Sequence, residues 1–96
     1  ESLRFILNTA LEGRVPVIGF SREFARSGAL LCLSVNYADI GRQAGQLTRK
    51  LLDGQLSLPM KPWHPDRIET SLNLKTAKFL GIEISRELEQ KADELY

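Results

Sequence analysis

Two short, continuously apolar runs, Val15-Pro16-Val17-Ile18-Gly19-Phe20 and residues 29–35, lie close together in the chain, each flanked by segments of helical spacing. Neither run alternates apolar with polar residues, which is how a strand covered on both faces in a parallel sheet reads. Pro16 fits among the first residues of its strand, where a missing amide donor matters least. Two such strands with helices before, between and after them predict an α/β layered fold with a largely parallel sheet.

The flanking helices carry their own start and stop signals. Leu3, Ile6, Leu7, Ala10 and Leu11 recur at helical spacing, with Ser2 as the N-cap and Gly13 just past the last periodic residue. Ser21 is positioned to cap a short helix over residues 22–27 that Gly28 ends. Asn36 caps a longer one, with Asp39 in its first turn facing the positive end of the helix dipole. Along it Ile40, Ala44, Leu47 and Leu51 form the apolar face, and Gly54 stops it.

From Gln55 to Asp66 the periodicity vanishes and Pro59, Pro62 and Pro65 appear, which marks an extended connection. Ile68, Thr70 and Leu72 then alternate with Arg67, Glu69 and Ser71, predicting a third strand with one wet face, as at a sheet edge. Asn73 caps a short helix ended by Gly81, and Ser85 opens a last helix carrying Leu88, Ala92 and Leu95. The long Pro-broken crossing is out of place in a compact three-layer unit, which would use a shorter loop.

At 96 residues the chain has room for one modest core and no large internal cleft. Thirteen basic and twelve acidic residues are interspersed along it, so it presents no electrostatic footprint for nucleic acid or anionic lipid. Cys32 lies inside the second apolar run and reads as a small buried hydrophobe. No signal peptide pattern and no run of 18 or more apolar residues is present, and an opening directly on a helical pattern is what a truncated amino end gives.

Three stretches taken in register resemble a known family. They are Arg14-Val15-Pro16-Val17-Ile18-Gly19-Phe20-Ser21-Arg22-Glu23, then Ser27-Gly28-Ala29-Leu30 leading into Val35-Asn36-Tyr37-Ala38-Asp39-Ile40-Gly41-Arg42-Gln43-Ala44-Gly45, and Glu69-Thr70-Ser71-Leu72-Asn73-Leu74-Lys75-Thr76-Ala77-Lys78-Phe79-Leu80-Gly81. With the closing Lys91-Ala92-Asp93-Glu94, their order resembles the last third of ABC transporter substrate-binding proteins whose better-known members take up aromatic amino acids. The resemblance implies a type I periplasmic-binding-protein-like fold: two α/β lobes joined by hinge strands and closing over a small molecule, here incomplete. It implies second-lobe identity for residues 1–35 and 67–96, a first-lobe helix at 36–54 and a crossing at 55–66. A membrane permease as partner, a periplasmic or lipoprotein location for the parent, no cofactor and no catalysis come with it. A chain holding only cut sheets is further expected to form homo-oligomers or exchange elements with a second copy.

In open α/β sheets ligands bind outside the carboxyl ends of the strands. Two such places exist, Ser21 and Arg22 after the first strand, and Asn36 and Tyr37 after the second. Ser21 offers a hydroxyl, Arg22 a fork for a carboxylate, and Tyr37 an aromatic wall or phenol. The bland alternative leaves Ser21 and Asn36 with capping duty and Arg22 and Glu23 solvated.

Other features are structural on this reading. Gly41 and Gly45 suit close packing of a helix on the sheet, Trp63 covers a hinge or a patch of core, and Lys75, Lys78, Arg49 and Lys50 are solvated helix faces. His64 has no cysteine or carboxylate at metal-ligand spacing. The alternative function is a small α/β hydrolase-like or regulatory ligand-sensing domain. Gly19-Phe20-Ser21-Arg22-Glu23 begins like a nucleophile elbow, but Glu23 stands where that turn requires glycine.

Overall fold

A computed structural model describes residues 2–96. In chain order the elements are α1 (Ser2–Glu12), β1 (Ile18–Gly19), α2 (Arg22–Ser27), β2 (Leu31–Ser34), α3 (Tyr37–Leu52), β3 (Glu69–Leu72), α4 (Leu74–Leu80), α5 (Arg86–Lys91) and β4 (Glu94–Leu95). They belong to two compact units, one made of the chain up to Ser34 with Glu69–Tyr96, the other of Val35–Ile68.

The first unit is built on a sheet of order β1-β2-β3-β4. β1 runs parallel to β2 and β3 parallel to β4, whereas β2 and β3 are antiparallel. The α/β fold expected from the apolar runs is therefore present, with a mixed sheet. The antiparallel pair arises because the chain leaves β2 at Ser34 and returns at Glu69, its cross-strand partner.

Register and pleat sort the side chains into two rows. Gly19, Cys32 and Ser71 fall on one face, and Ile18, Leu31, Leu72 and Leu95 on the other. The first face holds the core. Leu7, Ala25, Ala29 and Cys32 are buried together there, with Leu3, Val17, Phe24 and Tyr96 packed against them. On the other face Leu72 is buried, but Ile18 is 67% exposed and Leu33 48%. The expectation that the first strand is covered on both faces is thus corrected, since the core helices lie over one side only.

The third strand differs from its expectation too. β3 is an inner strand, not an edge, and both Ser71 and Leu72 are buried. What covers its flank is β4, whose Glu94 and Leu95 the sequence places in the last helix; that helix stops at Lys91. Asp93 makes the join, because its amide donates to the Thr70 carbonyl (2.8 Å) while its carboxylate accepts from the Thr70 amide (2.7 Å).

Asn73 and Ser85 take the capping roles their positions predict, accepting from the amides of Thr76 (2.9 Å) and Leu88 (3.1 Å). Asn73 also donates to the Ala25 carbonyl (2.7 Å), so one buried side chain both starts α4 and ties it to α2. α1 ends differently. It is Arg14, not Gly13, that takes up the left-handed backbone, at φ 56°, and Val15 closes the turn by donating to Ala10 (2.8 Å). Ser2 is the first helical residue of α1 and not the residue before it.

In the second unit Asn36 caps α3 by accepting from the Asp39 amide (3.0 Å), and Gly54, at φ 76°, follows its end. Residues 55–66 form no helix or strand. They are held to α3 by the Gln43 amide, which donates to the His64 carbonyl (2.7 Å) and accepts from the Asp66 amide (3.1 Å). Lys50 lies over the Trp63 ring at 5.5 Å. Ile40, Ala44 and Leu47, with Trp63, His64 and Pro65, line an open groove, and no residue of α3 is buried. The close packing expected at Gly41 and Gly45 is not seen, because a Cβ added at either would meet open space among the described residues.

Candidate functional site

β1 and β2 are parallel and β3 opposes β2, so the carboxyl ends of the first two strands and the amino ends of β3 and β4 share one edge of the sheet. That edge carries Phe20, Ser21 and Arg22 after β1, Ser34 at the end of β2, Glu69 and Thr70 at the start of β3, and Asp93 and Glu94 at β4. Such an edge collects polar loops because the chain must turn there.

Ser21 holds the N-cap position of α2 with extended backbone (φ −150°, ψ 157°), and its carbonyl accepts from the Phe24 amide at 3.1 Å. Its hydroxyl makes no capping bond. The capping duty expected of Ser21 is thus not taken up by the side chain of this half-buried residue, which directly precedes Arg22.

Arg22 reaches across to Glu94, Nη1 to Oε1 at 3.4 Å, with both side chains about half exposed. It is therefore paired, not simply solvated, and so is Glu23, which meets Arg26 at 3.5 Å. An ion pair this exposed is worth on the order of 0.5 kcal/mol and is easily exchanged for another partner.

Beneath this edge lies Cys32. It is fully buried, and burial pushes its thiol up from the ordinary range, so it stays neutral and unreactive. Gly19, beside it in the sheet, is required by packing: a Cβ there would stand 2.6 Å from the Phe24 ring. Phe24 is thereby pressed toward the core, and Phe20 lies against it with ring centroids 4.7 Å apart.

The other two candidates belong to the second unit. Asn36 spends its side-chain carbonyl on the Asp39 amide, and Asp39 is also paired with Arg42. Tyr37, the first residue of α3, is 84% exposed. Of the four candidates, then, Ser21 and Arg22, consecutive in the chain, belong to the first unit, and Asn36 and Tyr37 to the second.

Sequence reasoning did not place Glu94, Asp93 or Phe20 at this edge. The first two were assigned to a helix and the third to a strand interior, although an aromatic residue directly before the turn at Ser21 was a usable signal. No group of three or more His, Cys, Asp or Glu converges on a point among the described residues. No helix among them is long and apolar enough to cross a membrane.

The family model for ABC transporter substrate binding proteins matches residues 1–96. The chain belongs to this family. Among its relatives is a tyrosine-binding protein of Clostridioides difficile, 28% identical over 83 residues, a match that takes in 86% of the chain and 24% of the relative.

Solved structures agree in fold. A conserved domain protein of Vibrio cholerae superposes with a TM-score of 0.71 at 22% identity, over 98% of this chain and 32% of that one. An ABC domain in complex with L-Trp from Streptococcus pneumonia gives 0.67 at 18% identity, over 95% and 31%. The chain thus spans about a quarter of the curated relative and about a third of the solved structures. Its mixed four-stranded sheet with helices is a partial lobe of the family fold.

Proposed function

We propose that this chain contributes part of the binding surface for an amino acid or a similar small zwitterion, held at the sheet edge by Ser21, Arg22 and Glu94. The observation that carries the reading is the half-exposed Arg22–Glu94 pair, whose arginine directly follows in the chain a serine hydroxyl that its own helix does not use. A ligand bearing a carboxylate and an ammonium matches both members of such a pair. Its carboxylate takes the guanidinium fork of Arg22 and the Ser21 hydroxyl, and its ammonium takes Glu94. Little is lost in the exchange, because the internal pair is weak in water.

An amino-acid ligand is also in keeping with the tyrosine-binding relative and the L-Trp complex. Asn36 and Tyr37 are proposed as further ligand contacts, each on its own chemistry: the Asn36 side-chain amide N–H groups are not used in the cap, and the Tyr37 ring is exposed. In this reading residues 1–35 and 67–96 are second-lobe segments, 36–54 is a first-lobe helix and 55–66 a crossing. The whole protein then binds by hinge closure, delivers its ligand to a membrane permease and works outside the cytoplasm as a periplasmic protein or lipoprotein. The role is binding, not catalysis.

The test is a titration of the ¹⁵N-labelled chain with L-tyrosine, L-tryptophan and L-leucine, followed by amide shifts. Saturable shifts at Ser21, Arg22 and Glu94, reduced by Arg22→Gln, are expected. A spectrum unmoved by millimolar amino acids would sink the proposal.

A further inference from the structure

We propose that the furrow between α1 and the end of α2 is a docking site for an extended, acidic segment of a partner polypeptide. It lies away from Ser21 and Arg22, at the opposite edge of the sheet, and does not depend on the binding role proposed for them.

Charges that are interspersed in the sequence are sorted by the fold here. Two concavities of about 310 and 240 Å³ adjoin through Ser27, which lines both. Arg4 is the charged residue of the first, Arg26 and Lys75 those of the second, and no carboxylate lines either. Arg14 adds a fourth cation beside the second, its guanidinium 5.0 Å from the centre of the Phe79 ring that forms part of the wall. Arg4 and Lys75 make no ion pair among the described residues. Arg26 meets Glu23 at 3.5 Å, but both side chains are well exposed, so the pair exchanges readily for another.

The shape selects a chain over a single anion. Leu3 lines the first concavity and Leu11 the second, so the furrow follows α1 for about 12 Å. That is the span of about four residues of extended polypeptide. The cations are strung along this length, and the wall between them is apolar at Leu3, Leu11 and Phe79. A segment that alternates carboxylates with apolar side chains complements both features. Because α2 begins at the ligand edge with Arg22 and ends at the other with Ser27, a partner held here leaves the first edge open.

The test is a titration of the ¹⁵N-labelled chain at low salt with a synthetic heptapeptide alternating glutamate and alanine, with far-UV circular dichroism to confirm that each variant is folded. Saturable amide shifts are expected at Arg4, Ser27, Gly28 and Lys75, with affinity falling as salt is raised. Joint charge reversal by Arg4→Glu and Lys75→Glu should weaken binding about tenfold or more. Should that variant not fold, the single exposed change Lys75→Gln reads the same effect as a loss of about threefold. Equal binding of the same peptide with glutamine in place of glutamate would overturn the proposal, as would a furrow whose amides no acidic peptide moves. Inorganic phosphate reproducing the shifts on its own would reduce the furrow to a simple anion site. Cosedimentation of the chain with phosphatidylglycerol vesicles, lost in the charge-reversed variant, would assign the surface to a membrane and overturn it equally.

Discussion

The guanidinium of Arg14 donates to the backbone carbonyl of Phe79 at 2.8 Å and lies 5.0 Å from the centre of the Phe79 ring. One side chain therefore joins the end of α1 to α4 across most of the sequence, and it does so from a left-handed residue. For a non-glycine residue that conformation costs about 1 kcal/mol, so the two contacts offset a local strain.

Arg14→Ala keeps the strained backbone and loses both contacts, and it is expected to lower stability by about 1–2 kcal/mol in urea denaturation. Arg14→Gly loses the same contacts but sits in the left-handed region freely, so it should be about 1 kcal/mol more stable than Arg14→Ala. Equal stabilities for the two variants would show that the backbone at this position carries no strain.

Ser71 is fully buried and its hydroxyl finds no hydrogen-bond partner among the described residues. A buried hydroxyl without a partner costs free energy that a methyl group does not. Ser71→Ala is therefore expected to raise stability by about 1 kcal/mol, read as a higher urea midpoint with an unchanged slope.

The raised thiol of Cys32 has a consequence in alkali. In the unfolded chain this thiol ionises from about pH 8.5, in the folded chain only higher. Its contribution to stability is complete below the unfolded value and is lost as pH rises toward the folded one. The fall in denaturation midpoint from about pH 8 to 10 should be shallower in Cys32→Ala than in the unsubstituted chain. Alkylation by iodoacetamide at neutral pH should be slow until denaturant is added. Parallel pH profiles for the two proteins would contradict the assignment.

The side of the sheet away from the core cluster is open and apolar at Ile18, Leu33 and Leu95, each about half exposed or more. Such a face seeks a partner, and a second copy is the one at hand for the chain in isolation. Light scattering at millimolar concentration is expected to give a mass above the monomer, and Leu33→Glu should return it to the monomer value. A monomeric unsubstituted chain would contradict this.

What could be read from the residues was mostly the local part. Asn36, Asn73 and Ser85 announce their helices because a short polar side chain before an apolar period has few other uses. The strands were legible as strands from the apolar runs, but not their surroundings: Ile18 belongs to a run that reads as doubly covered and stands open. Leu95 sits at helical spacing from Leu88 and Ala92, so periodicity places it in a helix. The pairing of Asp93 with Thr70 that makes it a strand is a long-range hydrogen bond that no local pattern encodes.

The position of Ser21 and Arg22 at the edge of the sheet follows from their place directly after an apolar run. That of Glu94 does not, since the pairing that brings it to Arg22 depends on β4. Phe20 was hidden by its own hydrophobicity, which in a strand argues for the interior.

Because Ser34 and Glu69 are opposite one another in the ladder, the chain departs from the sheet and re-enters it at a single rung. Everything from Val35 to Ile68 is in effect a long detour inside a hairpin. Splicing that detour out and joining the two strands by a tight Asn-Gly turn preserves every rung, so the trimmed polypeptide keeps the same pairing with a far shorter loop to close. Lengthening or shortening the detour, likewise, leaves the alignment of the strands untouched.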